Sequence, residues 1–133
     1  MSGGGIYLQK VAVYNGIPLY GNGLAADILD ADNFQITTTG LTDVLNFTAP
    51  ITADYLILSY YRISVSNTNV TLTLNWSDES GPNSININTG SNPVGGHPQT
   101  PEYIHAIAGS SVTLTATINH ANQCFVTADA YLM

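Results

Sequence analysis

Positive charge is nearly missing from this sequence. Lys10 and Arg62 are the only cations in 133 residues, against nine Asp and Glu and a net charge of −7. Charged residues make up 8% of the chain, where an ordinary soluble domain carries roughly 25%. Nucleic-acid binding needs several Lys and Arg contacts that release counterions from phosphates, and two cannot form such a stripe. An anionic membrane surface is excluded on the same ground. Cys124 is the single cysteine, which rules out an internal disulfide framework. No apolar run approaches the ~20 residues of a transmembrane helix. The opening residues show no basic segment followed by an apolar one, which predicts no secretory signal.

In place of charge the chain carries hydroxyls and amides: Thr 15, Asn 13 and Ser 10, more than a quarter of all residues. Hydrophobic residues reach 44% and eight are Tyr, so low charge does not mean disorder. The length suits one domain able to bury a core without metals or disulfides. Ser2-Gly3-Gly4-Gly5 predicts a flexible leader over residues 1–5, and residues 6–133 read as a single domain.

The pattern of the chain has period 2. Val70, Leu72, Leu74 and Trp76 alternate with Thr71, Thr73 and Asn75, and Val112 to Ile118 repeat the pattern with Thr113, Thr115 and Thr117. Ile85 and Ile87 alternate with Asn86 and Asn88, and Cys124 to Leu132 form a last strand. Such alternation marks strands with one buried and one wet face. Tyr55 to Val65 differs: its odd positions include Tyr55, Ile57, Tyr61, Ile63 and Val65, and its even positions Leu56, Leu58 and Tyr60. Apolar residues on both faces predict a central strand, or one whose outer face meets another subunit. Ile6 to Tyr14 and Phe34 to Thr38 read as strands. Leu41 to Phe47 is a strand or a short helical turn, and Leu24 to Asp32 has room for a helical turn.

The segments Ser66–Asn69, Asp78–Pro82 and Asn119–Asn122 read as hairpin turns, because Asn, Asp and Gly tolerate positive φ and bond their own backbone. Thr89 to Pro101, rich in Gly and Pro, reads as the longest loop and a candidate partner-contacting element. The fold class that follows is all-β, an antiparallel β-sandwich of about eight strands, jelly-roll-like.

Chemistry has little to work with. His97, His105 and His120 lack metal-ligand spacing, and structural hydrogen bonding is the better reading of each. Asp27, Asp30 and Asp32 form a D-x-x-D-x-D cluster with oxygen ligands for Ca²⁺, but without the Gly and terminal Glu of an EF-hand. A solvated acidic turn is the favoured reading. Asp78-Glu79 reads as a turn cap before an acid/base pair. Cys124 reads as a small buried hydrophobe, and no nucleophile or phosphate-cradle motif occurs. Trp76 shares a face with Val70, Leu72 and Leu74, which favours the core over sugar stacking. Tyr7, Tyr14, Tyr20, Tyr60, Tyr61, Tyr103 and Tyr131 are candidates for a contact surface, since Tyr gives large area at low entropy cost; lining sheet faces is the competing reading. The sequons at Asn46, Asn69 and Asn75 are expected by chance in so Asn- and Thr-rich a chain.

The block Tyr55-Leu-Ile-Leu-Ser-Tyr-Tyr-Arg-Ile-Ser-Val, followed by Asn69-Val-Thr-Leu-Thr-Leu-Asn-Trp-Ser-Asp-Glu-Ser-Gly81, resembles a jelly-roll domain of tailed-phage and prophage virion proteins. The later Tyr103-Ile-His-Ala-Ile-Ala-Gly-Ser-Ser-Val-Thr-Leu-Thr is similar to the strand that follows in those domains. The match covers about Asp54 to Leu132. The resemblance implies a part of a fibre, spike, baseplate or capsid decoration, without catalytic residues or cofactor. It implies assembly as a homotrimer with other virion proteins such as the major capsid protein, and a location in the virion after synthesis in the host cytoplasm.

The expectation is a non-enzymatic virion structural protein, a small capsid decoration or head-surface subunit, since the chain starts at its own Met without a fibre shaft. The alternative is a tip module of a tail fibre or spike that binds a host-surface glycan or protein. A lectin-like domain holding Ca²⁺ near Asp27, Asp30 and Asp32 is a remoter third. No metal, nucleic acid or membrane enters the leading reading. The expected partner interface comprises Ile6, Tyr7, Leu8, Tyr14, Leu58 and Tyr60, with Gly3 to Tyr14 as an arm adding a strand to a neighbour.

Overall fold

The structure, a computed structural model, describes residues 10–14, 17–20, 26–88 and 91–133. Among them there is no helix. Twelve strands follow in order: β1 (Lys10–Tyr14), β2 (Ile17–Tyr20), β3 (Ala26–Ile36), β4 (Thr42–Thr48), β5 (Ala53–Ile63), β6 (Thr68–Asp78), β7 (Gly81–Asn88), β8 (Ser91–Asn92), β9 (Gly95–Pro98), β10 (Glu102–Ala106), β11 (Ser111–Ile118) and β12 (Cys124–Leu132).

β1 and β2 form a separate hairpin. The rest form two antiparallel sheets. Sheet 1 has the order β10-β5-β12-β3, with β9 also paired to β5; sheet 2 has the order β4-β11-β6-β7, with β8 also paired to β6. Eight strands nest in four pairs: β3 with β12, β4 with β11, β5 with β10, β6 with β7. One long hairpin, folded at the β6–β7 turn and rolled so that β12 meets β5 and β11 meets β6, produces this order. That is the jelly-roll sandwich, in agreement with the expected eight strands.

The alternation decides which residues fill it. Tyr55, Ile57, Tyr61 and Ile63 of β5 and Cys124, Val126, Ala128, Ala130 and Leu132 of β12 face Val70, Leu72 and Leu74 of β6 and Val112, Leu114, Ala116 and Ile118 of β11, all buried in one core. Trp76 packs against this core, and burial pushes the Cys124 thiol up to about 11, the behaviour of a small hydrophobe. Tyr55, fully buried, donates its hydroxyl to Ile51 O at 2.6 Å. Tyr61 is also fully buried, its ring stacked on His97, so it leaves the set of contact-surface tyrosines.

Several local expectations change. Leu24–Asp32 holds no helical turn among its described residues: β3 runs unbroken through Asp27, Asp30 and Asp32, and the strand ends at Ile36. Thr42–Thr48 is a strand. The Ser66–Asn69 and Asn119–Asn122 turns do not close hairpins. They carry the chain across from one sheet to the other, because β5 and β12 lie in sheet 1 while β6 and β11 lie in sheet 2. Asn67 and Asn122 sit there at positive φ, which Asn tolerates best of the side-chain-bearing residues. Among the described residues only the Asp78 turn closes a hairpin of the sandwich, with Asp78 Oδ1 accepting from Ser80 N and Gly81 at φ 114°. The Thr89–Pro101 segment is not one loop: β8 extends the sheet-2 edge and β9 the sheet-1 edge.

Candidate functional site

The two sheets present different outer faces. On sheet 2 the outward positions of β6, β11 and β7 are Thr, Asn and Ser with Pro82 at the start of β7, and β4 adds Asp43 and Asn46. Thr73 lies opposite Thr115 and Asn75 opposite Thr113. Thr73 Oγ1 donates to Asn86 Oδ1 at 3.0 Å, and Asn75 Nδ2 donates to Thr113 Oγ1 at 3.2 Å. Short polar side chains that bond one another need no charge to stay wetted.

Sheet 1 is different. The outward positions of β5 are Asp54, Leu56, Leu58, Tyr60 and Arg62, because the odd positions point to the core. Register places Tyr103 and Tyr131 on either side of Leu56, Asp129 beside Leu58, Thr127 and Pro98 beside Tyr60, and Phe125 beside Arg62. Tyr103 is 67% exposed and Tyr60 39%. The result is an apolar and aromatic strip along the middle of an exposed sheet. The two expected interface residues described with their side chains, Leu58 and Tyr60, both lie on it. Ile6, Tyr7 and Leu8 fall outside the described residues, and Tyr14 is described only as part of β1. Tyr60 is less free than its sequence position suggested: its ring lies over Gly96 of β9, where a Cβ would collide with it. This covering of an edge glycine by a cross-strand aromatic ring stiffens the strip.

The β3 side of the same face is acidic. In a regular strand residues 27 and 30, three apart, would point to opposite sides. Two bulges against β12 change that. Leu29 pairs with Ala130 while Asp27 pairs with Tyr131, and Asp32 and Asn33 together oppose Thr127, with Asn33 at φ 50° and its N–H on Thr127 Oγ1. Asp27 and Asp30 therefore face outward together, Asp30 directly across from Asp129. Partial burial, with Asp27, Asp30 and Asp32 beside it, holds the Asp129 carboxyl above its ordinary value. The cluster lies on a strand, not a solvated turn. Among the described residues no group of three His, Cys, Asp or Glu is placed to hold a metal ion.

The sequence did not bring His105 to notice as one of a group. Its Nδ1 lies 2.7 Å from Asp54 Oδ1 and its Nε2 3.1 Å from Glu79 Oε2. Hydrogen bonds to Asp54 and Glu79 raise its pKa, since only imidazolium offers two N–H donors. The group joins β10 and β5 of sheet 1 to the β6–β7 turn of sheet 2. All three side chains are exposed, and they act as a clip. His120 Nδ1 lies 3.3 Å from Thr68 Oγ1 and His97 Nε2 2.8 Å from Pro93 O, both structural roles.

No family model matches this chain, and no curated protein matches it. Among solved structures it is similar to a chain of infectious bursal disease virus, Gx strain, at 9% identity and a TM-score of 0.52, over 93% of this chain and 36% of that one. It is also similar to the VP2 subviral particle of infectious bursal disease virus, at 14% identity and a TM-score of 0.40, over 77% of this chain and 30% of that one. A third likeness is to the Clostridium thermocellum xylanase 10B CBM22-1–GH10 modules, at 14% identity and 0.43, over 97% and 25%. The chain spans about a third of the viral chains it matches. The first likeness supports the fold, and the fold alone.

Proposed function

We propose that this chain is a non-enzymatic virion structural protein, a small capsid decoration or head-surface subunit of a tailed phage. It assembles with the major capsid protein and as a homotrimer. A jelly roll hosts many functions, so the fold does not carry this reading. The outer face of sheet 1 carries it: Leu56, Leu58, Tyr60, Tyr103 and Tyr131 share a face that, left in water, would be expected to carry polar residues. The wet face of sheet 2 shows that the chain has ample Thr and Asn for that purpose. Low charge fits close packing against neighbours.

The test is co-sedimentation of the purified full chain with capsids assembled without it from the same genome's major capsid protein. Saturable binding that raises the capsid's thermal stability is expected, and Leu58→Glu should abolish it while the variant's own melting stays within a few degrees. Capsids that leave the wild-type chain in the supernatant overturn the reading. A second reading, recognition of a host-surface glycan, is favoured by the exposed Tyr103 ring, opposite Leu56 on the same face. Sugar-competed adsorption of the chain to host cells would select it.

A further inference from the structure

We infer that the outer face of sheet 1 docks a basic surface of a different protein, one presenting Arg or Lys beside apolar side chains, and does not pair with a second copy of this chain. The inference rests on the assembly reading above and names the chemistry of the partner. The bulged β3 turns Asp27 and Asp30 onto the face that also carries Leu58 and Tyr131, and Asp30 stands directly across from Asp129. Like charges in that position repel, and no cation among the described side chains answers them. Arg62, the one described cationic side chain, is engaged elsewhere on the face, 4.5 Å over the Phe125 ring and 3.5 Å from Asn33 Oδ1.

A second copy brings the same carboxylates and a further net −7. A basic partner relieves the repulsion. Neighbouring strands are about 4.8 Å apart, so an Arg or Lys stem lying on Leu58 and Tyr131 reaches the Asp129–Asp30 row with its head. Stem on apolar surface and head at carboxylate is the arrangement these side chains favour, and the Tyr131 ring adds a cation–π contribution. The raised pKa of Asp129 agrees with a site short of positive charge.

The probe is a twelve-residue peptide of alternating Arg and Leu, titrated into the ¹⁵N-labelled full chain beside an Asn-for-Arg and a Glu-for-Arg version. The chain's acids away from this face, Asp43, Asp78 and Glu79, serve as internal controls for unspecific attraction. Expected are saturable shifts at residues 56–60 and 129–131, tenfold weaker binding of the Asn version, and tenfold weaker binding of the Arg version to the Asp30→Asn/Asp129→Asn chain. Affinity should fall with salt in the unaltered chain, a readout that needs no variant. Shifts spread equally over the control acids, equal binding of the neutral peptide, or sedimentation showing self-association lost in Leu58→Glu would each overturn the inference. Capsid binding separates the two claims. If Leu58→Glu abolishes it and the double Asn variant leaves it intact, the assembly reading stands and the charge inference falls. If no capsid is bound, the assembly reading falls and the peptide titration still decides the other.

Discussion

Asp129 is flanked on its own face by Leu58 and faces Asp30 across the β12–β3 ladder. Its folded pKa lies above the ordinary 3.8 because burial and the Asp27, Asp30 and Asp32 carboxylates disfavour the charged form. Above 3.8 the folded chain therefore binds more protons at this group than the unfolded chain, and stability falls as pH rises through that window. Replacing the charge removes the cost. Asp129→Asn is expected to stabilise the chain at pH 7 by about 0.5 kcal/mol, the scale of a like-charge cross-strand pair. The gain should shrink toward zero as pH falls below the ordinary carboxylate value. Urea denaturation at the two pH values measures this, and a loss of stability at pH 7 would contradict it. A group whose neutralisation stabilises the isolated chain is what a docking site under electrostatic strain should contain.

At the scale of elements, the His105 clip is the one ionic tie between the sheets among the described residues. A raised His pKa supplies stability that is full below the unfolded value and lost as pH rises through the folded one. Glu79, lowered first by a hydrogen bond from its own backbone and then by His105, supplies stability that is lost as pH falls through its folded value. The clip therefore holds best between those two titrations. Proton NMR of the His105 ring should give a midpoint above 6.5 that drops in Asp54→Asn; a midpoint at or below 6.5 would contradict the clip. His105 was not legible as one of a group, and the acidic row only in its β3 half, the Asp27, Asp30 and Asp32 cluster; Asp129 across the ladder left no local mark. Strand identity and inward faces were legible, because alternation is local: Val70–Trp76 and Val112–Ile118 carry their burial in their own spacing. The outward apolar positions Leu56, Leu58 and Tyr60 were legible for the same reason. Tyr103 and Tyr131 were contact candidates one by one, but that they and Phe125 stand beside this row was not legible, because register between strands far apart in sequence leaves no local mark. The bulges of β3 hid the rest. They turn a D-x-x-D spacing that suggested a loop into two outward carboxylates on a strand.

The whole molecule is a rolled hairpin with two unlike outer faces. Sheet 2 shows a polar lattice of Thr, Asn and Ser, with Asp43 on its β4 edge. Sheet 1 shows the aromatic strip with its acidic border, the face we propose docks a neighbour of another kind. The division follows from composition. Few charges leave the sheet faces open to close packing, and of the nine acids Asp27, Asp30 and Asp32 lie on β3, Asp129 directly across from Asp30, and Asp78 and Glu79 at the β6–β7 turn. Side-chain hydroxyl-radical footprinting of the chain, free and bound to capsids, tests this assignment most directly. The account predicts that Tyr103, Tyr60 and Leu58 are oxidised in the free chain and protected in the particle. Equal oxidation of these three side chains in both states would contradict it.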